Sequence, residues 1–184
     1  MAFGVLLDAN ALVPVALRDT LLRAAESYLY RPLWTNEILA EVERTLFHKI
    51  GLTHEQAVSL VSAIQEAFPE ATVEGYADLI DGMTVSREDR HVVAAAIVGY
   101  AQVIVTQNLD DFPQDLLDPY NIEVQSPDEF LKHLFDVDPE RMVQIIIEQA
   151  ADLLDPPYTP MEICAHLRLF APRFADLVEA RLAT

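Results

Sequence analysis

Two aspartates follow short apolar runs that are predicted to be buried strands. Asp8 comes directly after the run 3–7, and Asp111 comes a few residues after the run 103–105. Apolar runs of this length, without alternating polar residues, are typical of strands covered on both faces of a parallel sheet. Because the carboxyl ends of parallel strands meet at one edge of the sheet, we expect both carboxylates near the same crevice.

Two further carboxylates lie on predicted helices. Asp89 begins the alanine-rich segment 89–97, and Glu41 lies in a helix predicted from 36 to about 50. Glu41 and Glu43 flank the apolar stripe of that helix on opposite sides, so helical geometry alone does not choose between them. Several carboxylates in one crevice repel one another, and a hard divalent cation is the usual reason for such an arrangement. The positions therefore indicate an Mg²⁺ or Mn²⁺ site, and such sites commonly act on phosphates.

Each position also has a purely structural explanation. Aspartate is a favoured turn residue, which is enough to account for Asp8. At a helix start the dipole stabilises Asp89, and the spacing Ser86-x-x-Asp89 fits a capping arrangement. After the strand at 103–105, Asn108 competes with Asp111 for the last site position. The coincidence of four such positions, more than any one of them, favours a functional site.

The elements that position these side chains alternate between strand and helix. Short apolar runs predict strands, with a weak one near 71–73, and the 3.6-residue period predicts helices between them. The segment after Ser86 is apolar almost all round, which marks a helix buried against a sheet. This alternation predicts an α/β fold with parallel strands. The predicted strands are 3–7, 102–106 and 121–125, and the predicted helices are 15–28, 36–50, a helix between Thr53 and Pro69, and 87–100.

Past residue 125 the pattern becomes helical throughout. Ser126-Pro127, Asp138-Pro139 and Thr159-Pro160 each combine a helix-capping residue with a proline suited to the first helical turn. We therefore predict a first domain of residues 1–136 and an all-helical C-terminal extension of residues 137–184. Packing of the extension on the chain's own core is the default expectation.

Composition limits the setting in which the protein works. No apolar run approaches the roughly 18 to 20 residues of a membrane span, and no basic segment precedes the N-terminal apolar run. The single cysteine, Cys164, can form no internal disulfide. A cytoplasmic protein that is not associated with a membrane is the resulting prediction.

The net charge of −18 argues against indiscriminate nucleic-acid binding, which depends on phosphate neutralisation by Lys and Arg. The surplus of acid is unevenly distributed, however: residues 1–50 carry a net charge of −1 and residues 51–136 a net charge of −13. A surface that faces phosphates is therefore expected in the first third of the chain. Arg18 and Arg23 are candidates for contacts with an RNA backbone.

Four short motifs together resemble a PIN domain, in particular that of the VapC-like toxin ribonucleases. They are LLDAN at 6–10, WTNEILAE at 34–41, DRHVVAAA at 89–96 and VTQNLDDF at 105–112. Their order and approximate spacing match the family over about residues 3–130, and the helical tail resembles the extension of a VapC-like subgroup.

The resemblance implies a three-layer fold around a parallel sheet of about five strands, and an Mg²⁺- or Mn²⁺-dependent endoribonuclease. It also implies an RNA substrate, a cognate antitoxin and a homodimer. It assigns the catalytic and metal-binding positions to Asp8, Glu41, Asp89 and the variable fourth position, which falls on Asp111 or Asn108. It makes Asn10 and Thr106 supporting residues beside the metal.

Two other functions fit parts of the pattern. One is an α/β phosphatase-like phosphohydrolase, although Asp8-Ala9-Asn10 departs from the Asp-x-Asp expected of a haloacid-dehalogenase-type enzyme. The other is a non-catalytic acidic binding module, in which the carboxylates only contribute charge.

Overall fold

The computed structural model of the protein describes residues 3–83 and 85–183. In this part of the chain, four parallel strands form a sheet with the order β2-β1-β3-β4. The parallel sheet and its flanking helices confirm the predicted fold class. The strands are β1 (Gly4–Leu7), β2 (Arg31–Leu33), β3 (Ala101–Val105) and β4 (Glu123–Gln125).

The sheet has four strands where about five were expected. The weak strand predicted near 71–73 contributes a single parallel bridge, between Thr72 and Trp34. It is held there by hydrogen bonds from Trp34 N to Ala71 O and from Val73 N to Trp34 O. The segment thus lies where an additional edge strand would be, but it is too short to form a ladder.

Helices cover the sheet and continue beyond it. Between the strands run α1 (Ala9–Leu12), α2 (Val15–Glu26), α3 (Asn36–Thr45), α4 (His54–Ala67), α5 (Arg90–Val98) and α6 (Gln114–Leu117), with 3₁₀ turns at Ala77–Gly82, Leu109–Asp111 and Asp118–Tyr120. After β4 follow α7 (Pro127–Val137), α8 (Pro139–Ala151), α9 (Pro160–Leu167) and α10 (Pro172–Leu182). No described helix is long and apolar enough to cross a membrane.

Helix α3 is shorter than predicted but continues in a different form. Thr35 accepts a hydrogen bond from Ile38 N at 3.0 Å, which caps the start of the helix as expected. From Leu46 to Ile50 the backbone widens into a π-helical turn. Gly51, with φ of 85°, then ends it in the left-handed conformation that glycine adopts without steric cost. The wider turn changes the direction in which residues 46–50 project.

The helix predicted at 87–100 begins later than the sequence indicated. Residues 87–89 form a turn, and α5 starts at Arg90. The predicted cap, Ser86, accepts no backbone hydrogen bond through its side chain; its hydroxyl donates to the Asp89 carboxylate instead. The predicted burial of this helix is confirmed, because residues 92–96 are all buried against the sheet.

The C-terminal helices pack on α2, on the chain's own core. The Thr20 hydroxyl donates to Gln149 Oε1 at 2.8 Å, in a buried contact between α2 and α8. Ile146, Leu167 and Phe174 are fully buried. The expected packing of this region against its own core is therefore observed. The boundary at residue 137 remains a prediction.

Candidate active site

A cavity of about 490 Å³ opens at the carboxyl edge of β1 and β3. The side chains around it are mostly polar or acidic, and they come from four separate segments of the chain. The lining residues are Asp8, Ala9, Asn10, Val13, Pro14, Glu41, Thr45, Lys49, Ser86, Glu88, Asp89, His91, Val92, Gln107, Asn108 and Asp111. The four predicted carboxylates thus line one cavity, together with Asn10 and Asn108.

Asp8 lies at the junction of β1 and α1, and both of its carboxylate oxygens are held. Oδ1 accepts from Ala9 N at 2.8 Å, which satisfies one of the free amides at the helix start. Oδ2 accepts from Asn10 Nδ2 and from Thr106 Oγ1, each at 2.8 Å. All of these donors are neutral, so they fix the carboxylate's orientation without cancelling its charge.

A hydrogen-bond network ties the ends of β1 and β3 together around this carboxylate. Thr106 Oγ1 accepts from Asn108 N at 3.1 Å and from Asn10 Nδ2 at 3.0 Å. Asn10 Oδ1 accepts from Gln107 N at 2.8 Å. Thr106 is fully buried and does not line the cavity, so its hydroxyl positions Asp8 from the interior of the protein.

The pKa of Asp8 is raised above its ordinary value of 3.8. Burial is the largest cause, because it removes water from the charged form. The hydrogen bonds from Thr106 and Ala9 lower the pKa, and the negative charges of Glu41 and Asp89 raise it. The net direction shows that the local donors do not compensate for burial and like-charge repulsion.

Helix α3 and its π-helical turn form one wall of the cavity. Glu41, Thr45 and Lys49 line it at intervals of four residues, which places them along one side of the helix. Glu43 lies elsewhere, with its carboxylate 3.8 Å from His54 Nδ1. The structure therefore places Glu41 in the cavity and Glu43 outside it, a choice that periodicity left open.

The turn before α5 supplies the opposite wall. Asp89 is partly exposed, and its carboxylate accepts from the Ser86 hydroxyl. His91 Nδ1 donates to the carbonyl of Glu88 at 2.8 Å, so this ring nitrogen makes a hydrogen bond within the same turn.

Both candidates for the fourth position lie in the 3₁₀ turn after β3. Asn108 and Asp111 line the cavity, whereas Asp110 does not. Asp111 N donates to Asn108 O at 3.1 Å, and the next residue, Phe112, is buried in the core. The geometry brings both candidates to the cavity and does not choose between them.

The two arginines predicted to contact RNA are occupied elsewhere. Arg18 is buried, and its Nη1 donates to the carbonyls of Leu12 and Val13 at 2.9 Å each. Arg23 donates to Asp19 at 3.0 Å and to Asp152 at 2.7 Å, the latter on the C-terminal side. Neither arginine lines the cavity. Charge counts along the sequence do not show which arginines fold inward, and an RNA contact by either one stays a prediction.

Four polar lining residues were missed by sequence reasoning: Thr45, Lys49, Glu88 and Gln107. Lys49 and Thr45 continue the four-residue spacing that begins at Glu41, so this period could have identified them. Gln107 follows Thr106 directly, and its side-chain amide donates to the Asn10 carbonyl. Of these residues, Lys49 is the only Lys or Arg among the described residues that line the cavity.

The oxygen-rich lining has the chemistry that a hard divalent cation requires, but its carboxylates are not close enough together to hold one. Carboxylate and amide oxygens are the preferred ligands of Mg²⁺, and burial, together with the negative charges of Glu41 and Asp89, already raises the pKa of Asp8. However, the structure gathers no group of three or more Asp, Glu, His or Cys side chains ready to hold a metal ion, within residues 3–83 and 85–183. Binding an ion would therefore need a rearrangement that brings the carboxylates closer together.

Comparison with known proteins agrees with this architecture. The PIN domain family model matches residues 4–110, which is more than half of the chain and includes every residue that lines the cavity except Asp111. The chain belongs to the PIN-domain family. A second family model, the VapC50 C-terminal domain, matches residues 127–180, which include α7 to α9 and most of α10. This PIN-domain protein therefore combines a PIN domain with a helical region that matches the VapC50 C-terminal domain.

A relative from Mycobacterium tuberculosis, described as "Putative ribonuclease VapC50", is 43% identical to this PIN-domain protein over 101 residues. The match covers 55% of this chain and 60% of the relative, so it spans less than two thirds of that protein's length. No solved structure matches the chain.

Proposed function

We propose that this protein is a divalent-metal-dependent endoribonuclease that hydrolyses RNA phosphodiester bonds and acts as the toxin of a toxin–antitoxin pair. The observation that carries the proposal is the cavity in which Asp8, Glu41, Asp89 and Asp111 converge, with no ion pair to a Lys or Arg within the described residues. Membership of the PIN-domain family and the ribonuclease name of the M. tuberculosis relative support a nuclease over the phosphohydrolase and the non-catalytic module.

In this proposal Asp8 and Asp89 bind the cation directly, and Glu41 and Asp111 complete the set of oxygen ligands. Asn108 replaces Asp111 if the latter proves dispensable. A bound Mg²⁺ or Mn²⁺ ion would neutralise the nonbridging oxygens of a phosphodiester and lower the pKa of an attacking water.

The remaining residues of the network prepare Asp8 for this role. Thr106 and Asn10 both donate to Asp8 Oδ2, and Ala9 N donates to Oδ1, so the carboxylate is oriented before any ligand arrives. Such preorganisation matters because a misplaced first ligand weakens both binding and chemistry. No side-chain nucleophile is required; Cys164 is buried in α9 and does not line the cavity.

The partners follow from the family resemblance. We infer an RNA substrate, a cognate antitoxin that blocks the cavity, and a homodimer. The name of the relative and the match to the VapC50 C-terminal domain support the toxin assignment. A cytoplasmic location remains a prediction from composition.

The test is cleavage of RNA by the purified protein in Mg²⁺, in Mn²⁺ and in EDTA. We expect cleavage by the wild type only with a divalent cation, and a fall in kcat/KM of at least about 100-fold in Asp8→Asn and Asp89→Asn, because each change removes a charged ligand. Cleavage in EDTA, or equal cleavage by wild type and both variants, would overturn the proposal.

Neighbouring residues provide matched controls in the same assay. Asp110→Asn removes the same charge one residue away from Asp111 but outside the cavity, and Glu43→Gln does so near Glu41. We expect Asp111→Asn and Glu41→Gln to lose activity and both controls to keep it. If Asp111→Asn is as active as Asp110→Asn while Asn108→Ala is inactive, Asn108 occupies the fourth position.

A further inference from the structure

Lys49 has an unusual position, since it lies on the wall of an acidic cavity without an ion-pair partner. It projects from the π-helical turn that follows α3 and lies eight residues after Glu41. Its side chain is exposed. In the described part of the chain, no carboxylate oxygen lies within 4.0 Å of its ammonium group.

Most other Lys and Arg side chains form hydrogen bonds or ion pairs. The second lysine, Lys132, pairs with Asp136 at 2.5 Å, and the arginines of the C-terminal helices pair with carboxylates. Within the described residues, the side chains of Arg44, Lys49 and Arg87 make no hydrogen bond or ion pair, and of these only Lys49 lines the cavity. The cavity thus offers one uncommitted positive charge to an incoming anion.

We propose that Lys49 binds a backbone phosphate of the RNA strand at the cavity. The inference rests on the proposed nuclease function and adds a substrate contact to it. A lysine ammonium on a flexible stem suits this task, because it can follow a phosphate as a point charge without demanding a fixed geometry. It also offsets locally the repulsion between RNA and the surrounding carboxylates, which cation binding alone would have to overcome.

A role in neutralising the protein's own carboxylates fits the structure less well. Asp8, Glu41 and Asp89 line the same cavity, but within residues 3–83 and 85–183 the Lys49 ammonium forms no ion pair with any of them. If Lys49 served only to screen these charges, its removal would destabilise the fold and leave RNA affinity unaffected. A phosphate contact predicts instead that removal of Lys49 weakens RNA binding and leaves the stability of the fold unchanged.

The experiment measures binding of a fluorescent single-stranded RNA in EDTA, between about 50 and 200 mM salt, by wild type, Lys49→Met, Lys49→Arg and Lys132→Met. One phosphate contact contributes about 0.7 to the slope of log K against log[salt], so Lys49→Met should lose that much slope and bind about eightfold more weakly at about 50 mM salt. The loss should be the same for RNAs of different sequence, because a phosphate carries no base information.

The other variants separate this contact from general charge effects. Lys132→Met removes the same charge from a distant helix and should keep the wild-type affinity and slope, and Lys49→Arg should restore both. Thermal melting of Lys49→Met should stay within about 2 °C of wild type, as for an exposed substitution. Unchanged binding and slope in Lys49→Met, equal losses in Lys132→Met, or no RNA binding by the wild type would each overturn the inference.

Cleavage of the same RNA with Mg²⁺ is measured separately. If the wild type does not cleave, the proposed function fails, while the binding series still decides the role of Lys49. If the wild type cleaves, Lys49→Met should raise KM with little change in kcat, since the contact is present in both ground state and transition state.

Discussion

The carboxylates of the C-terminal helices and those of the cavity differ in what they contact. Asp128 lies 2.6 Å from Arg173 Nε, and Glu148 lies 3.0 Å from Arg141 Nη1. In the cavity, by contrast, Asp8 is held only by neutral donors, and Asp89 accepts from the Ser86 hydroxyl. The same residue types are thus paired with cations in one region and left with uncompensated charge in the other.

This difference separates structural from functional carboxylates more clearly than residue type or location in the sequence. Asp128 of α7 accepts from Phe174 N at 3.0 Å, which satisfies a free amide in the first turn of α10 where no local side chain does so. It therefore joins two helices. The cavity carboxylates make no comparable link to a cation, and their repulsion persists until a ligand arrives. Asp128 is thus a structural carboxylate, whereas the proposed function makes the uncompensated carboxylates of the cavity ligands of a cation.

The largest expected effect on stability falls in the paired region. Asp128→Ala removes both the cap of α10 and the partner of Arg173, so we expect a loss of about 2 kcal/mol in the free energy of unfolding. Urea denaturation of the full chain measures it. RNA cleavage below the transition should remain close to wild type, because Asp128 does not line the cavity.

The matched change in the cavity should have little effect on stability. Asp89→Asn keeps the shape of the side chain and removes a charge that no cation balances, so we expect a change within about 0.5 kcal/mol in EDTA. A destabilisation as large as that of Asp128→Ala would show that Asp89 is a structural carboxylate and would break the comparison.

The pH dependence of stability that arises from the Asp8 carboxyl should be a smaller effect than the loss expected for Asp128→Ala. Its pKa lies above 3.8, so between 3.8 and that raised value the folded state binds more protons than the unfolded state. The contribution of Asp8 to stability therefore falls as pH rises through this window, and above it the ionised group costs stability. Carbon-13 NMR of the Asp8 carboxyl in EDTA measures the pKa directly.

Glu41→Gln tests the electrostatic part of that shift. Removing one of the two charges that raise the pKa should move the Asp8 titration toward 3.8, whereas Glu43→Gln should leave it in place. The shift should be modest because burial is the larger cause and remains in the variant. An identical Asp8 titration in wild type and Glu41→Gln would mean that the two carboxylates do not share a site.

Local signals in the sequence predicted the elements well. Thr53, Ser126 and Thr159 each form the capping box that their sequence indicates, and the apolar runs became parallel strands. These features depend on residues three or four positions apart. The convergence of Asp8 and Asp89 was predicted from the rule that strand ends and helix starts meet at one edge of a parallel sheet.

Long-range contacts could not be predicted in this way. Asp128 caps a helix that begins more than forty residues later, and Gln149 reaches Thr20 across the molecule. The inward orientation of Arg18 depends on its hydrogen bonds to the carbonyls of Leu12 and Val13, between α1 and α2. Tertiary packing decided each of these.

The most direct test of the central claim is thermal melting of the wild type in Mn²⁺ and in EDTA, beside Asp8→Asn and Asp89→Asn. If the cavity carboxylates form a cation site, Mn²⁺ at ten times its Kd should stabilise the wild type by about 1.4 kcal/mol, which is roughly 3 to 6 °C for a chain of this size. The two variants should gain little or nothing. An equal gain in all three proteins, or no gain in the wild type up to millimolar Mn²⁺, would contradict the account.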